Sequence, residues 1–337
     1  MKIRNCSIRE ILQQKNMALY CFGAGNYFHA FLDECKALGV EPNIKYIVDN
    51  NAYNLEKKET FEIISVNDFC NIVQSNIKLI ITTAYYQEVI EQLNKYKELD
   101  ELECYAYPLM QLLKESNQDV ILRDTDKPCI PKQIHYCWFG KNPKPARDQR
   151  CIDSWKKYCP DYEITEWNED NYKVNQCSYA QEAYKSKKWA FVSDYARFDI
   201  VNRYGGFYFD TDVEIIRSID NLRYHKAFIG VEAAGGINSG LGFGSVKNIA
   251  MWQEIMELYQ QTDYLNADGT NKMIANANYE TDVFKKYGFK KDNRFQKVRE
   301  VAVYPSEFFC PKIVGTDIVK KTENTYSIHH YHYSWRE

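Results

Sequence analysis

Ser193-Asp194-Tyr195-Ala196-Arg197, followed after six intervening residues by Tyr204-Gly205-Gly206-Phe207-Tyr208-Phe209-Asp210-Thr211-Asp212, is the stretch that decides how this chain reads. A helical segment carries an acid and an arginine three apart, which places both on one face. The glycine pair ends it, with Gly205 suited to the left-handed position past a helix C-terminus. The aromatic strand Phe207–Phe209 then runs into two carboxylates one residue apart. Alternate residues of a strand point to the same side, so Asp210 and Asp212 are expected to address one divalent cation through hard oxygen ligands. A cation held there offsets the charge that builds on a departing diphosphate, which points to an enzyme that uses a nucleotide-sugar. Alone, Asp-x-Asp reads equally well as a solvated strand end. Alone, Asp194 and Arg197 read as a local ion pair worth roughly 0.5 kcal/mol or less. Joined by a tight glycine turn, the two features point to one pocket.

Working outward, Ala180–Lys187 and Ala190–Arg203 read as helices, Arg147–Tyr158 as another, and Tyr162–Trp167 as a strand. Ile130 to Gly140 starts a strand that ends in a Gly/Pro/Lys-rich loop. Ala227–Glu232 is a later strand, and the glycine-rich loop Gly235–Gly240 and a helix near 248–261 follow. Upstream, Ala18–Phe22, Ile44–Val48 and Ile77–Thr83 are strands alternating with helices, the pattern of a parallel, Rossmann-like sheet. The polar stretch before Pro128 places a boundary near residue 125. The expected class is α/β, with a small Rossmann-like domain over 1–125 and a larger domain over 126–337.

At 337 residues the chain is long enough for two domains. A net charge of -3 gives no basic excess for nucleic acid or an anionic membrane. Eleven cysteines, an odd number with no Cys-x-x-Cys pair, argue against a disulfide framework or zinc knuckle and for reduced thiols. The N-terminus has no apolar h-region, so no signal peptide is expected, and no run approaches the roughly 20 apolar residues of a membrane span. A cytoplasmic protein, at most peripheral at the inner membrane face, is the expectation. The 27 tyrosines are more often core than sugar-stacking residues.

The motifs Ile130-Pro-Lys-Gln-Ile-His135-Tyr-Cys-Trp138-Phe-Gly140, Ser193-Asp194-x-x-Arg197, Gly205-Gly-Phe-Tyr-Phe-Asp210-Thr-Asp212 and Tyr304-Pro-Ser-Glu-Phe-Phe-Cys-Pro311, with the closing Ser334-Trp335, resemble glycosyltransferase family 32. That family includes capsular-polysaccharide transferases and initiating mannosyltransferases; the chain is more distantly similar to the glucosylating domains of clostridial toxins. The likeness runs over roughly 128–337. It implies a GT-A fold, Mn²⁺ or Mg²⁺, a UDP- or GDP-sugar donor, a saccharide acceptor that is lipid-linked in surface-glycan synthesis, and retention of anomeric configuration. It also implies His135, Tyr136 and Trp138 near the nucleobase, and Asp194 and Arg197 on the donor sugar. Asp210 is then at ribose, sugar or metal-bound water, Asp212 on the metal, and Ser334 and Trp335 at the diphosphate.

The ending His329-His330-Tyr331-His332-Tyr333-Ser334-Trp335 departs from the family's simpler pattern, so the third metal ligand is open, with His330 and His332 as candidates. Asn238 is a candidate for donor hydroxyls, or a turn asparagine. Glu232 and Asp282 are the carboxylates available to a covalent mechanism, although front-face displacement is the family expectation. Gly23-Ala24-Gly25 and Asp49 look like a dinucleotide fingerprint, but Phe28 replaces its third glycine. Docking or homo-oligomerisation fits that segment better than hydride chemistry. The competing readings are a two-carboxylate glycoside hydrolase and a non-catalytic nucleotide-sugar-binding module.

Overall fold

The computed structural model describes residues 1–4, 8–12, 18–52, 61–73, 76–113, 120–312 and 319–332. Two compact units form, one on Met1–Asn117 and one on Gln118–Lys312 with Lys320–Glu337.

The first unit is a parallel sheet of six strands: β1 (Lys2–Arg4), β2 (Ala18–Phe22), β3 (Ile44–Val48), β4 (Glu62–Ile64), β5 (Ile77–Ile81) and β6 (Glu103–Ala106). Their order is β1-β6-β5-β2-β3-β4. Every residue of β5 is buried, as parallel strands covered on both faces require. β2 turns through Gly23, at φ 100°, into the helix Asn26–Ala37. Asp49 does not point away from this turn: its Oδ2 accepts the amide of Ala24 at 3.2 Å. Phe28, in place of the fingerprint's third glycine, is wholly buried. Three of the six strands, β1, β4 and β6, are short and carried no clear periodic signal.

The second unit is a mixed sheet of seven strands: β7 (Gln133–Cys137), β8 (Glu163–Trp167), β9 (Gly206–Tyr208), β11 (Ala227–Gly230), β12 (Phe243–Ser245), β13 (Gln296–Val298) and β14 (Val301–Tyr304). Their order is β13-β14-β11-β12-β9-β7-β8. A separate antiparallel pair joins β10 (Val213–Ile215) to β15 (Ser327–His329). Strand alternation divides the core into two. Ile134, Tyr136, Phe207, Phe228 and Tyr304 pack on one face with Ile152 and Trp155 of the helix Ala146–Tyr158. Cys137, Tyr208, Ile229, Phe243 and Val303 face the other side, against four helices, of which Trp189–Tyr204 is the central one. The result is an α/β unit with helices on both faces of its sheet.

The Asp194/Arg197 pair does not mark a solvent face of the helix Trp189–Tyr204. Every residue from Phe191 to Asn202 is buried, so Asp194 and Arg197 lie inside the unit. Gly205 ends it at φ 72° and Gly206 follows at φ 96°. A Cβ on Gly206 would sit 2.7 Å from the carbonyl oxygen of Gln133. The glycine pair is therefore required twice, once by backbone conformation and once by the close approach of β7.

Candidate functional site

β9 ends at Tyr208, so Asp210 and Asp212 are not on the strand. They lie in the turn that follows, closed by the Val213 amide on the Asp210 carbonyl at 3.1 Å. The turn brings the two carboxylates together, rather than strand alternation. Ligand atoms of Asp210, Asp212 and His329 all lie within 4.8 Å of one another.

The histidine comes from β15. Antiparallel register sets His329 opposite Val213, the residue after Asp212. His329 Nε2 is 3.3 Å from Asp212 Oδ1. This corrects the expectation for His330 and His332. His330 Nε2 pairs with Glu214 at 2.9 Å, and His332 Nδ1 with Asp148 at 2.6 Å. Both touch Asp212 through the backbone: the His330 amide donates to its carbonyl and the His332 amide to its Oδ2, each at 2.9 Å. The physical reason is the β10–β15 pairing, which turns the side chain of His329, and not those of its neighbours, toward the carboxylates. Ser334 and Trp335 lie outside the described residues.

Burial opposes the charge on Asp212, but the imidazole of His329 and the His332 amide hold its pKa well below the usual carboxylate range. Burial likewise opposes the His329 imidazolium, yet Asp212 keeps its pKa above the ordinary histidine value. Asp210 goes the other way, pushed up by burial despite Arg197 beside it. Nδ1 of His329 is buried and has no hydrogen-bond partner among the described residues. Two carboxylates and an imidazole with a spare nitrogen form a donor set that fits a divalent ion.

Behind the turn, Arg197 is the hub. Its Nη2 lies 3.1 Å from Asp194 Oδ1 and 3.1 Å from Asp210 Oδ1. Nη1 donates to Ser239 Oγ at 3.1 Å, and Nε to the Ser193 carbonyl at 3.2 Å. Tyr208 donates its hydroxyl to Asp210 Oδ1 at 3.0 Å. A side chain at Gly240 would collide with Asp210 Oδ2, so the glycine-rich loop must run bare past the turn. Asn238 is in the same network: its Oδ1 accepts the Gly240 amide at 2.9 Å and Asn276 Nδ2 at 3.1 Å. Its Nδ2 donates to Glu232 Oε2 at 3.4 Å. Asp282 is a surface residue, its side chain 73% exposed beside Lys285.

Sequence reasoning missed Ser239, Asn276 and Glu280. Glu280 is fully buried and accepts from Ser239 and Asn276. One signal was available. On the helix Asn276–Lys285, Ala277, Glu280, Thr281 and Phe284 follow the 3/4 spacing of a core face, with an acid at one of its positions.

Of the three predicted nucleotide contacts, His135 and Tyr136 are engaged within the core, and Trp138 is half-buried. His135 is buried, with Trp167 Nε1 donating to its Nδ1 at 3.3 Å. That fixes Nε2 as the protonated nitrogen, which donates to the Gly205 carbonyl at 2.9 Å. Burial lowers its pKa to about 4, so it is a neutral strut under the glycine turn. It offers no free nitrogen to a base, and the reason is its inward position on β7. Tyr136 points to the opposite core and donates to Glu166 Oε2 at 2.7 Å. Trp138 is half-buried, donates to the Asn142 carbonyl at 2.7 Å, and has Lys144 Nζ 5.6 Å from its ring.

Burial raises the Asp194 pKa to about 7, with Arg197 opposing and Glu280 and Asp210 reinforcing. A carboxyl whose pKa is raised on folding binds a proton in the native state that the unfolded chain, near pH 4, has released. Its stabilising contribution is full below about pH 4 and is lost as pH rises toward 7. Asp194→Asn is therefore expected to remove up to about 1.4 kcal/mol per pH unit from the slope of stability over that interval. Urea denaturation of both proteins from pH 4 to 8 checks it; equal slopes would refute it.

Comparison with known proteins agrees with the chemistry of this site. Residues 145–229 match the family described as glycosyltransferase sugar-binding region containing DXD motif. Inositol phosphoceramide mannosyltransferase 3 of Schizosaccharomyces pombe is 30% identical over 127 residues, 34% of this chain and 33% of that protein. The alignment thus spans about a third of the curated relative. PaToxG Glycosyltransferase superposes with a TM-score of 0.37 at 19% identity, over 47% of this chain and 68% of that one. A glycosyltransferase involved in glycosylation of the major capsid of PBCV-1 gives 0.33 at 13% identity, over 62% and 96%. The family match spans both the buried helix and the turn. Residues 145–229, which include Asp210-Thr211-Asp212, are thus similar to a DXD-type glycosyltransferase sugar-binding region.

Proposed function

We propose that this protein is a metal-dependent glycosyltransferase that moves a hexose from a nucleotide-sugar to a saccharide acceptor. The observation that carries the reading is the convergence of Asp210, Asp212 and His329 in front of the buried Asp194–Arg197 pair. In it, Asp212 and His329 hold the cation, and Asp210 shares it or reaches it through water. A bound divalent ion offsets the charge on the leaving diphosphate. An imidazole in the set favours Mn²⁺ over Mg²⁺, which prefers oxygen ligands. Arg197, Asp194 and Asn238 take the donor sugar.

The anomeric carbon–oxygen bond to the diphosphate breaks as the acceptor oxygen bonds that carbon. The acceptor proton passes to an oxygen of the departing phosphate, giving retention by front-face displacement. Glu232, whose pKa burial raises and whose Oε2 accepts from Asn238, serves in this reading as a hydrogen-bonding wall rather than a nucleophile. The name of the fission-yeast relative makes a mannosyl donor the first to try. A surface-glycan acceptor, lipid-linked or not, fits the same reading. No helix among the described residues is long and apolar enough to cross a membrane.

A thermal-shift panel of UDP- and GDP-sugars with and without Mn²⁺, followed by release of the nucleoside diphosphate, tests this. At least one donor is expected to raise the melting temperature only when metal is present and to be turned over. No metal-dependent shift with any donor overturns the reading, and binding without turnover leaves a non-catalytic module.

A further inference from the structure

We propose that Glu280 is a positioning residue for the donor sugar, acting through Ser239 on Arg197 and through Asn276 on Asn238. The proposal rests on the glycosyltransferase reading above. Glu280 is 0% exposed, and among the described residues no lysine or arginine makes an ion pair with it. A carboxylate buried without a direct counter-ion is expensive, and an apolar residue of similar volume would serve packing better. What it does instead is geometric. Its Oε2 accepts the Ser239 amide at 2.7 Å and its Oε1 accepts Ser239 Oγ at 2.5 Å.

A serine hydroxyl has one proton to give, and here Glu280 takes it. A lone pair of Ser239 Oγ is then left for Arg197 Nη1 at 3.1 Å. With Nη1 fixed, Nη2 is held between Asp194 and Asp210. Asn276 Nδ2 also donates to Glu280 Oε1 at 3.0 Å and to Asn238 Oδ1 at 3.1 Å. Asn238 Oδ1 is thereby occupied, which fixes which way its amide faces. Two groups assigned to donor hydroxyls, Arg197 and Asn238, thus take their orientation from one carboxylate. Of the three clustered cation ligands, the Arg197 path reaches only Asp210 and neither path reaches Asp212 or His329, so the larger effect belongs to sugar recognition rather than to diphosphate binding.

The experiment uses the full chain with Glu280→Gln, Ser239→Ala and the double variant. Dissociation constants in Mn²⁺ are measured for the nucleoside diphosphate alone and for the nucleotide-sugar that the wild type turns over. Each variant is expected to bind the diphosphate within about twofold of wild type and the nucleotide-sugar about tenfold more weakly. The double variant is expected to be no worse than either single one, because both changes cut the same path. Equal loss for both ligands means a general structural role and overturns the proposal, as does unchanged nucleotide-sugar binding or simple additivity. If Glu280→Gln does not fold, Ser239→Ala, which removes only a hydroxyl, makes the same comparison. A wild-type chain that binds neither ligand overturns the glycosyltransferase reading itself, an outcome distinct from a failure of this proposal alone.

Discussion

Asp212→Asn is expected to lower turnover by about 10³-fold or more while leaving the fold intact. Asp212 is held as an anion by His329 Nε2 at 3.3 Å and by the His332 amide at 2.9 Å. The amide of Asn can still accept from the His332 backbone through its oxygen. Its Nδ2 then faces His329, which can only meet it as a neutral ring, so the imidazole loses the partner that raised its pKa. The variant therefore loses both a negative ligand and the electrostatic match between carboxylate and histidine. Mn²⁺ titration by calorimetry and nucleoside diphosphate release measure the two effects, and circular dichroism checks the fold. Activity near wild type would show that no catalytic cation is held at Asp212.

Arg197→Ala has the largest expected effect on stability. The guanidinium is 3% exposed and stands between Asp194 and Asp210, with Glu280 one hydroxyl away. Removing it leaves buried carboxylates without their cation, a loss of about 3–5 kcal/mol. Burial already raises the pKa of each of these acids, and Arg197 is what opposes the rise. Without it they take up protons at higher pH. The deficit should therefore be larger at pH 8 than at pH 5, where protonation relieves the unpaired charge. Arg197→Lys keeps the charge but not the fork that reaches Ser193, Ser239, Asp194 and Asp210 together. It is expected to recover part of the stability and little of the turnover. Urea midpoints at both pH values, with donor turnover, separate these outcomes; a pH-independent deficit would show that the acids do not depend on this arginine.

About half of the strands of the two sheets were legible, because β2, β3, β5, β7, β8 and β11 are apolar or aromatic runs bounded by glycine, proline or polar turns. β12 and β13 have three residues each and take their identity from neighbours rather than from pattern. Asp194, Arg197, Asp210 and Asp212 were legible because they lie close in sequence and only a glycine turn separates them. His329 was not, since its place depends on a strand pairing with residues far earlier in the chain. Glu280 was hidden for a different reason: a lone acid in a polar helix suggests solvent, and only tertiary packing shows that it faces the core. His135 erred in the opposite direction, a motif residue that proves to be a strut.

The β10–β15 pairing also sets an order of events during synthesis. The two aspartates leave the ribosome well before the histidine that completes their cluster. Until Ser327–His329 docks beside Val213–Ile215, the seven strands of the main sheet are already available to pair, but the candidate cation site has only two of its three donors. On the proposed metal-dependent reading, divalent-ion affinity is acquired only after this strand has paired. In a refolding or translation-arrest experiment it would report the finished chain, while the burial of tryptophans Trp155 and Trp252 would report the earlier closing of the sheet.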